Sequence, residues 1–536
     1  MKGSKPVLMG ALASMVIVGL LVGGCGPTAT PPPTVGPGVT PTVPAVATPT
    51  APPAAPKVLR IATAGGCGAM SVGEAGGAGP CAIQIEQMYQ GLTFRNWDAT
   101  VQPLLATSWE MIEPTVWQFK LREGVKFHNG EDFNAEAVVY SFETAMDEER
   151  AWAVKGKLGF VASVEIVDDY TVDIHTSQPW LDAPFFAAAV FMMPPKYAAE
   201  VGPDEGLVTD PVGTGPFQFV EFVPNDYMKL KAFDDYWGGR PKIDEILWRQ
   251  IPEPATRVAA LLAGDVDIAV QVPGDLIPVV KASPGADVDF ARELTTIQLF
   301  MDGLPATQSP LADKRVRQAI DYAIDKKMIC EALLGEFCSL NGQVLTPEVF
   351  GYNPDIEQTP YDPEKARQLL AEAGYPNGLT VKMICPLGKF FVDRDAVVAI
   401  KEQLAQVGIN VEPLSLVDAP TFTAALKAPT ERQDMLYLGW YSYGNPAQAF
   451  QWFSTAQPWH RWENDEFDQQ FDVAQTSLDE QERLEAYYRM AEIIKDETPS
   501  VFLWQQPAPY GISDKVEGFK PHPNQSIVLA EVDLLQ

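Results

Sequence analysis

Residues 213–269 read GTGPFQFVEFVPNDYMKLKAFDDYWGGRPKIDEILWRQIPEPATRVAALLAGDVDIA. Phe217, Phe219 and Glu221 alternate with Gln218, Val220 and Phe222, the period of a strand that is apolar on much of both faces. Pro224-Asn225-Asp226 supplies turn residues, and Met228, Leu230 and Ala232 resume the alternation on a returning strand. A third strand is expected over Ile243–Ile251, after the Gly238-Gly239 break. Pro254 then opens a helix that Gly264 ends, because proline suits the first helical turn and glycine the left-handed position beyond the last. Asp265–Ala269 reads as a further short strand. An antiparallel ribbon followed by helix and strand predicts a mixed α/β sheet.

Working outward, the ends place the protein outside the cytoplasm. Lys2 and Lys5 precede an uncharged apolar run from Val7 to Gly24, the pattern of a signal peptide, with a retained membrane anchor as the alternative. The run ends in Leu21-Val22-Gly23-Gly24-Cys25, which resembles a bacterial lipobox; that resemblance implies lipidation of Cys25 after removal of the leader. Residues 26–56 are rich in Pro, Thr, Ala and Gly and carry no charge before Lys57. Such a segment cannot bury enough surface to fold and leans to polyproline geometry. At about 3 Å per residue it would reach about 90 Å from a lipid surface, a tether.

Composition narrows the function. The chain has 536 residues, 46% hydrophobic and 10% aromatic, ample for a large core, and a net charge of −31. That acidity argues against nucleic acid, whose phosphates need basic patches. Of six cysteines, Cys67 and Cys81 bracket a Gly-rich loop, and Cys330 and Cys338 a short turn. These two local pairs are the expected disulfides in an oxidising compartment, with Cys385 a free buried thiol. A zinc site is the alternative, but no paired CxxC and no neighbouring histidine supports it, so no metal is expected.

Four histidines occur, none in HExxH, and no GxSxG, phosphate loop or GxGxxG stands between a strand and a helix. Pro216 removes a donor where a phosphate loop would need one. No enzyme and no cofactor are expected, an exported hydrolase with a carboxylate pair being the rival. The polar-aromatic stretch Met435–Trp462 is more telling. Met435–Trp440 reads as a buried strand, and a Tyr/Gly/Asn/Pro loop follows it. Trp440, Tyr441, Tyr443 and Asn445 thus fall at a strand end, the usual place for ligand contacts in an open α/β sheet, with Trp459 shortly after. Aromatic faces with polar tips suit peptide side chains or sugar rings; the competing reading is that they pack the core. Gly65 and Gly66 permit close backbone approach opposite this loop.

GTGPF, KAFDDYWGGRPKIDEI (231–246), ATRVAALLAGDVDIA (255–269) and GVKFHNGEDFNAEAVVYSFE (124–143) together resemble the extracytoplasmic solute-binding proteins of ABC importers, family 5, the dipeptide/oligopeptide/nickel class. The resemblance runs from about Val58 to the C-terminus. It implies an α/β fold of two lobes, the periplasmic-binding-protein type II of the large peptide-binding cluster, with a hinge. Lobe I would take 57–297, completed by 503–536, and lobe II 298–502. It also implies a monomer that is anchored to the cell membrane by its lipid and delivers its ligand to permease subunits. Peptide-binding relatives carry an aspartate in the loop after Gly-Trp; here Gly439-Trp440-Tyr441-Ser442-Tyr443-Gly444-Asn445-Pro446 has no acid. An arginine that holds the ligand carboxylate in some dipeptide binders is matched nearest by Lys389, which lacks the bidentate fork. Longer peptides held through the backbone, or an oligosaccharide, remain open.

Overall fold

The computed structural model describes Thr30 and residues 55–67, 70, 72, 80–96, 98–150, 152–428, 432–523 and 526–535. The expected leader, Cys25 and most of the tether lie outside the described residues. From Ala55 onward the chain forms one compact unit.

Ten strands build the central sheet: β1 (Val58–Thr63), β2 (Phe217–Val223), β3 (Tyr227–Ala232), β4 (Glu245–Gln250), β5 (Ile268–Val270), β6 (Ala286–Met301), β7 (Leu379–Pro386), β8 (Ile409–Val417), β9 (Met435–Tyr441) and β10 (Ser500–Ser513). Their order is β8-β7-β9-β6-β10-β5-β1-β4-β3-β2. The ribbon read from 213–269 lies at one edge. β2 and β3 pair antiparallel through a turn in which Asn225 takes φ +61°, a conformation asparagine tolerates. β4 joins β3 antiparallel and β1 parallel, and β5 lies parallel to β1 on its other side. The helix between β4 and β5 runs Pro254–Leu262, with Gly264 at φ +74° beyond its end. At the opposite edge, β7 is parallel to both β8 and β9.

Between these halves run two long antiparallel strands, β6 and β10. Their register slips between Arg292 and Thr296 and again between Ile297 and Gln298. Pro507 and Pro509 of β10 face Arg292 and Phe290 there and cannot donate to the ladder. A separate four-stranded antiparallel sheet, Ala106–Glu113, Val116–Leu121, Thr171–Thr176 and Val161–Asp168, packs with the helix Ala135–Met146. Asn134 caps that helix by accepting from the Glu136 and Ala137 amides.

Buried apolar side chains fall into two clusters. One joins β1–β4 and the four-stranded sheet to residues from 508 to 532 of the C-terminal segment. The other takes Ala62 of β1 and residues from 258 to 504, including most of β6, the helices Lys314–Ala323 and Asp393–Gln406, and the N-terminal part of β10.

Two helices differ from expectation. The apolar period of Ile83–Leu92 reads as a helix, but the helix runs Pro80–Ile85 and gives way to a turn. Asp313–Met328, with Val316, Ala319, Ile320, Ala323 and Ile324 at helical spacing, reads as one helix but forms two, Lys314–Ala323 and Lys326–Leu334. Ile324 is extended between them, and Asp325 caps the second by accepting from the Met328 amide.

Candidate functional site

A cavity of about 240 Å³ opens where the turn after Pro80–Ile85 meets the C-terminal segment 526–530. The opening stretch of sequence builds one wall. A Cβ at Gly213 would lie 2.1 Å from the Met88 carbonyl oxygen, and one at Gly215 2.5 Å from that of Gln87, so only glycine lets these backbones touch. This contact carries Pro216 to the cavity. His128 braces the same corner, its Nε2 2.9 Å from the Gly215 carbonyl oxygen. Burial lowers its pKa to about 4, so the ring is neutral.

Glutamines fix the turn. Gln87 donates to the carbonyls of Ile83 (3.0 Å) and Ile527 (2.7 Å), tying the wall to the C-terminal segment. Gln90 donates to the Tyr236 hydroxyl and accepts from the Trp237 indole, each at 2.9 Å. Among these apolar and amide groups stand charges. Glu86 and Arg95 line the cavity, and Lys157 interacts with both. All three side chains are half-buried.

Burial pushes the Glu86 carboxyl up, against its hydrogen bond to Ser526 and the charges of Arg95 and Lys157. Burial, aided by Arg95, lowers Lys157 to about 7, and burial also lowers Arg95. The Arg95 guanidinium packs 4.3 Å from the centre of the Phe185 ring, and its Nε donates to the Phe185 carbonyl at 3.4 Å. Its Nη2 is buried with no hydrogen-bond partner among the described residues.

Tyr443 closes the cavity from the loop after β9. Its ring centre lies 5.8 Å from the Arg95 guanidinium carbon and 5.4 Å from Lys157 Nζ. Burial raises its hydroxyl to about 12. Tyr443 has φ +52°, in the left-handed region that bulky residues avoid. Ser442 holds the turn, both its amide and its hydroxyl donating to the Leu294 carbonyl (3.1 and 3.0 Å). Such strain at a cavity wall is common where a side chain must be aimed.

Of the residues singled out in the sequence, only Tyr443 lines this cavity. Tyr441 stands behind it, ring stacked on ring at 5.8 Å. Trp440 turns onto Trp452, their planes 3.4 Å apart at centroid and 6° from parallel, and Trp459 packs on Trp452 in turn. Asn445 is spent on structure: its side chain accepts from the Gln448 amide and is hydrogen-bonded to Asp182, whose carboxyl burial pushes up. Lys389 is exposed, its Nζ 5.5 Å from the Phe390 ring centre, and Gly65 and Gly66 lie off the cavity, Gly66 against Gln250 and Gln84. Cys67 is bonded to Cys81 and Cys330 to Cys338; Cys385 is free and buried. Glu86, Arg95 and Lys157 went unsingled as site residues because lone charges between apolar residues resemble ordinary surface positions. Among the described residues no group of three or more His, Cys, Asp or Glu is placed to hold a metal, and no helix is long and apolar enough to cross a membrane.

The architecture is that of the two-lobed periplasmic binding proteins. DppA from Helicobacter pylori, solved in complex with the peptide STSA, superposes with TM-score 0.76 at 24% identity over 89% of this chain and 98% of its own. HbpA2 from Haemophilus parasuis does so with TM-score 0.75 at 26% identity, over 90% and 100%. The profile of the bacterial extracellular solute-binding proteins, family 5 Middle, matches residues 100–461, and the chain belongs to that family. Glutathione-binding protein GsiB of Escherichia coli is 28% identical over 464 residues, 84% of this chain and 89% of that protein. Heme-binding protein A of Haemophilus influenzae is 34% identical over 319 residues, 55% of this chain and 57% of that protein.

Proposed function

We propose that this protein is the substrate-binding lipoprotein of an ABC importer, held outside the cytoplasm by a lipid on Cys25, and that it encloses a short peptide or similar small polar solute in the cavity shut by Tyr443. The observation that carries this reading is the cavity itself: apolar walls, a few fixed polar groups, and an aromatic cover brought by a separate segment of chain. A volume of about 240 Å³ lies below the ~300–1,000 Å³ of drug-sized sites and favours a ligand of a few residues. The site's role is binding, not catalysis: its polar groups hold and orient. An oligosaccharide is favoured less, because Trp440 spends a ring face on Trp452 rather than offering it to a sugar.

Lobe I is taken as 57–297 with 503–536 and lobe II as 298–502, hinged where β6 and β10 lose register. One apolar cluster holds only residues of 57–297 and 503–536; the other holds the buried apolar residues of 299–502 and continues through the shared sheet into Ala62, 258–297 and Leu503–Trp504. Ligand would favour the closed form by touching both sides at once, and the closed form would be the one presented to the permease. Ligand extracted from protein purified from its native host and identified by mass spectrometry tests this reading. A peptide-type solute whose readdition lowers the radius of gyration in X-ray scattering supports it; a solute that leaves the radius unchanged refutes closure.

A further inference from the structure

Resting on that reading of the cavity, we propose that Arg95, with Lys157 beside it, anchors a carboxylate of the bound solute, so that the site selects ligands carrying an anionic group.

The chain as a whole carries −31, a field that repels anions. Arg95 nonetheless lines the cavity, with Lys157 close to it over the Tyr443 ring. The Arg95 guanidinium is fixed on one side by Phe185, through ring contact and the Nε–carbonyl bond, and flanked by Tyr443. With those contacts made, Nη2 still lacks a hydrogen-bond partner among the described residues although it is buried. An unmet donor on a desolvated guanidinium is costly, and an oxyanion entering the cavity would satisfy it with a charge-assisted bond. A guanidinium held in place before the ligand arrives loses little freedom on binding.

The surrounding charges fit this role. Glu86, hydrogen-bonded to Ser526, offsets the two cations, and Glu293 acts on Tyr443 from β6. His522 meets the Arg95 backbone and is held neutral by burial, so it adds no charge. Lys157 lies over the Tyr443 ring and adds positive potential without being required to touch the ligand. The lobe II lysine suggested by the family, Lys389, is exposed and off the cavity. The anchor thus sits on lobe I, on the strand Thr93–Arg95.

The test uses ligand-stripped full-length protein and a partial casein hydrolysate, offered either native or methyl-esterified so that every carboxylate is neutral. Captured peptides are identified by mass spectrometry, and the most enriched are titrated by calorimetry. We expect capture from the native pool, at least tenfold weaker capture from the esterified pool, and a loss of about ten- to a hundredfold in affinity for Arg95→Gln, the range of a charge-assisted hydrogen bond, with partial recovery in Arg95→Lys. Equal capture from both pools overturns the anchor while leaving the peptide reading intact. So does a folded Arg95→Gln of unchanged affinity, or a loss that appears in Lys389→Ala instead. Should Arg95→Gln fail to fold, the two pools offered to the unaltered protein still decide. Capture from neither pool overturns the peptide reading and the anchor with it.

Discussion

Gly444 lies so near Ala99 that a Cβ at position 444 would meet the Ala99 Cβ and carbonyl oxygen at 3.0 Å. Both residues are left-handed, at φ +90° and +62°. Two tight turns from distant parts of the chain thus touch next to Tyr443, on the side from which the cavity is covered. A side chain at 444 would hold them apart. Gly444→Ala should therefore weaken ligand affinity about tenfold, besides costing about 1–2 kcal/mol of stability for its backbone conformation. Gly239→Ala is the control, because Gly239 has φ +95° with nothing within 4 Å of its Cβ position. Calorimetry and thermal melting of both variants check this; equal affinities would remove the contact from closure.

Tyr443 and Trp440 stand three residues apart and should fail differently. Tyr443→Ala removes the cover of the cavity and should weaken binding by about 2 kcal/mol with a small change in melting. Trp440→Ala leaves Trp452 without its stacked partner and should destabilise by about 3 kcal/mol, with affinity nearly unchanged in the folded fraction. Melting and affinity measured on the same two proteins separate the roles. A Trp440→Ala variant that melts normally but binds poorly would reverse the assignment.

The ribbon at 217–232 was legible because turn residues and a period of two agree there, as was the helix from Pro254. The longest strand, Ala286–Met301, was not. Its first half alternates buried with exposed positions while every residue from Glu293 onward is buried, so no single period runs through it. The aromatic loop after β9 was recognised, yet which of its rings would face the ligand was not. Local sequence places Trp440, Tyr441 and Tyr443 equally at a strand end; tertiary packing with Trp452 and the left-handed turn at Tyr443 decide among them. Glu86, Arg95 and Lys157 are far apart in sequence and meet only in the fold.

The disulfides should contribute unequally. Their ends are separated by 14 residues in Cys67–Cys81 and 8 in Cys330–Cys338. Loop-closure entropy then gives about 3 and about 2.5 kcal/mol. Cys67–Cys81 also ties the segment after β1 to the helix that delivers Glu86 to the cavity. The Cys67→Ser/Cys81→Ser variant should thus lose affinity as well as stability, and Cys330→Ser/Cys338→Ser stability alone. Denaturant titration and calorimetry report both, and peptide mapping without reductant that found four free thiols would sink the pairing.

Lys157 should make both stability and affinity depend on pH, in opposite directions. Its pKa falls from an ordinary 10.5 to about 7 in the fold, chiefly by burial. Between those values the unfolded chain holds a proton that the folded protein has released. The contribution of this group to stability therefore rises with pH over that window, is complete above about 10.5, and is lost as pH falls through about 7. An anionic ligand reverses the preference, since it favours the charged ammonium. Affinity should fall as pH rises from 7 to 9, and binding near pH 8 should take up protons, seen as a binding enthalpy that varies with the ionisation enthalpy of the buffer. The neighbours do not mimic this. Tyr443, raised to about 12, stays neutral throughout, and Arg95 keeps its charge. Glu86, raised by burial, would also take up protons when an anion binds, so the decisive protein is Lys157→Met. In it, proton uptake near pH 8 should vanish and the rise of stability above pH 7 should flatten. Uptake that persists in Lys157→Met would assign the titration to Glu86 instead.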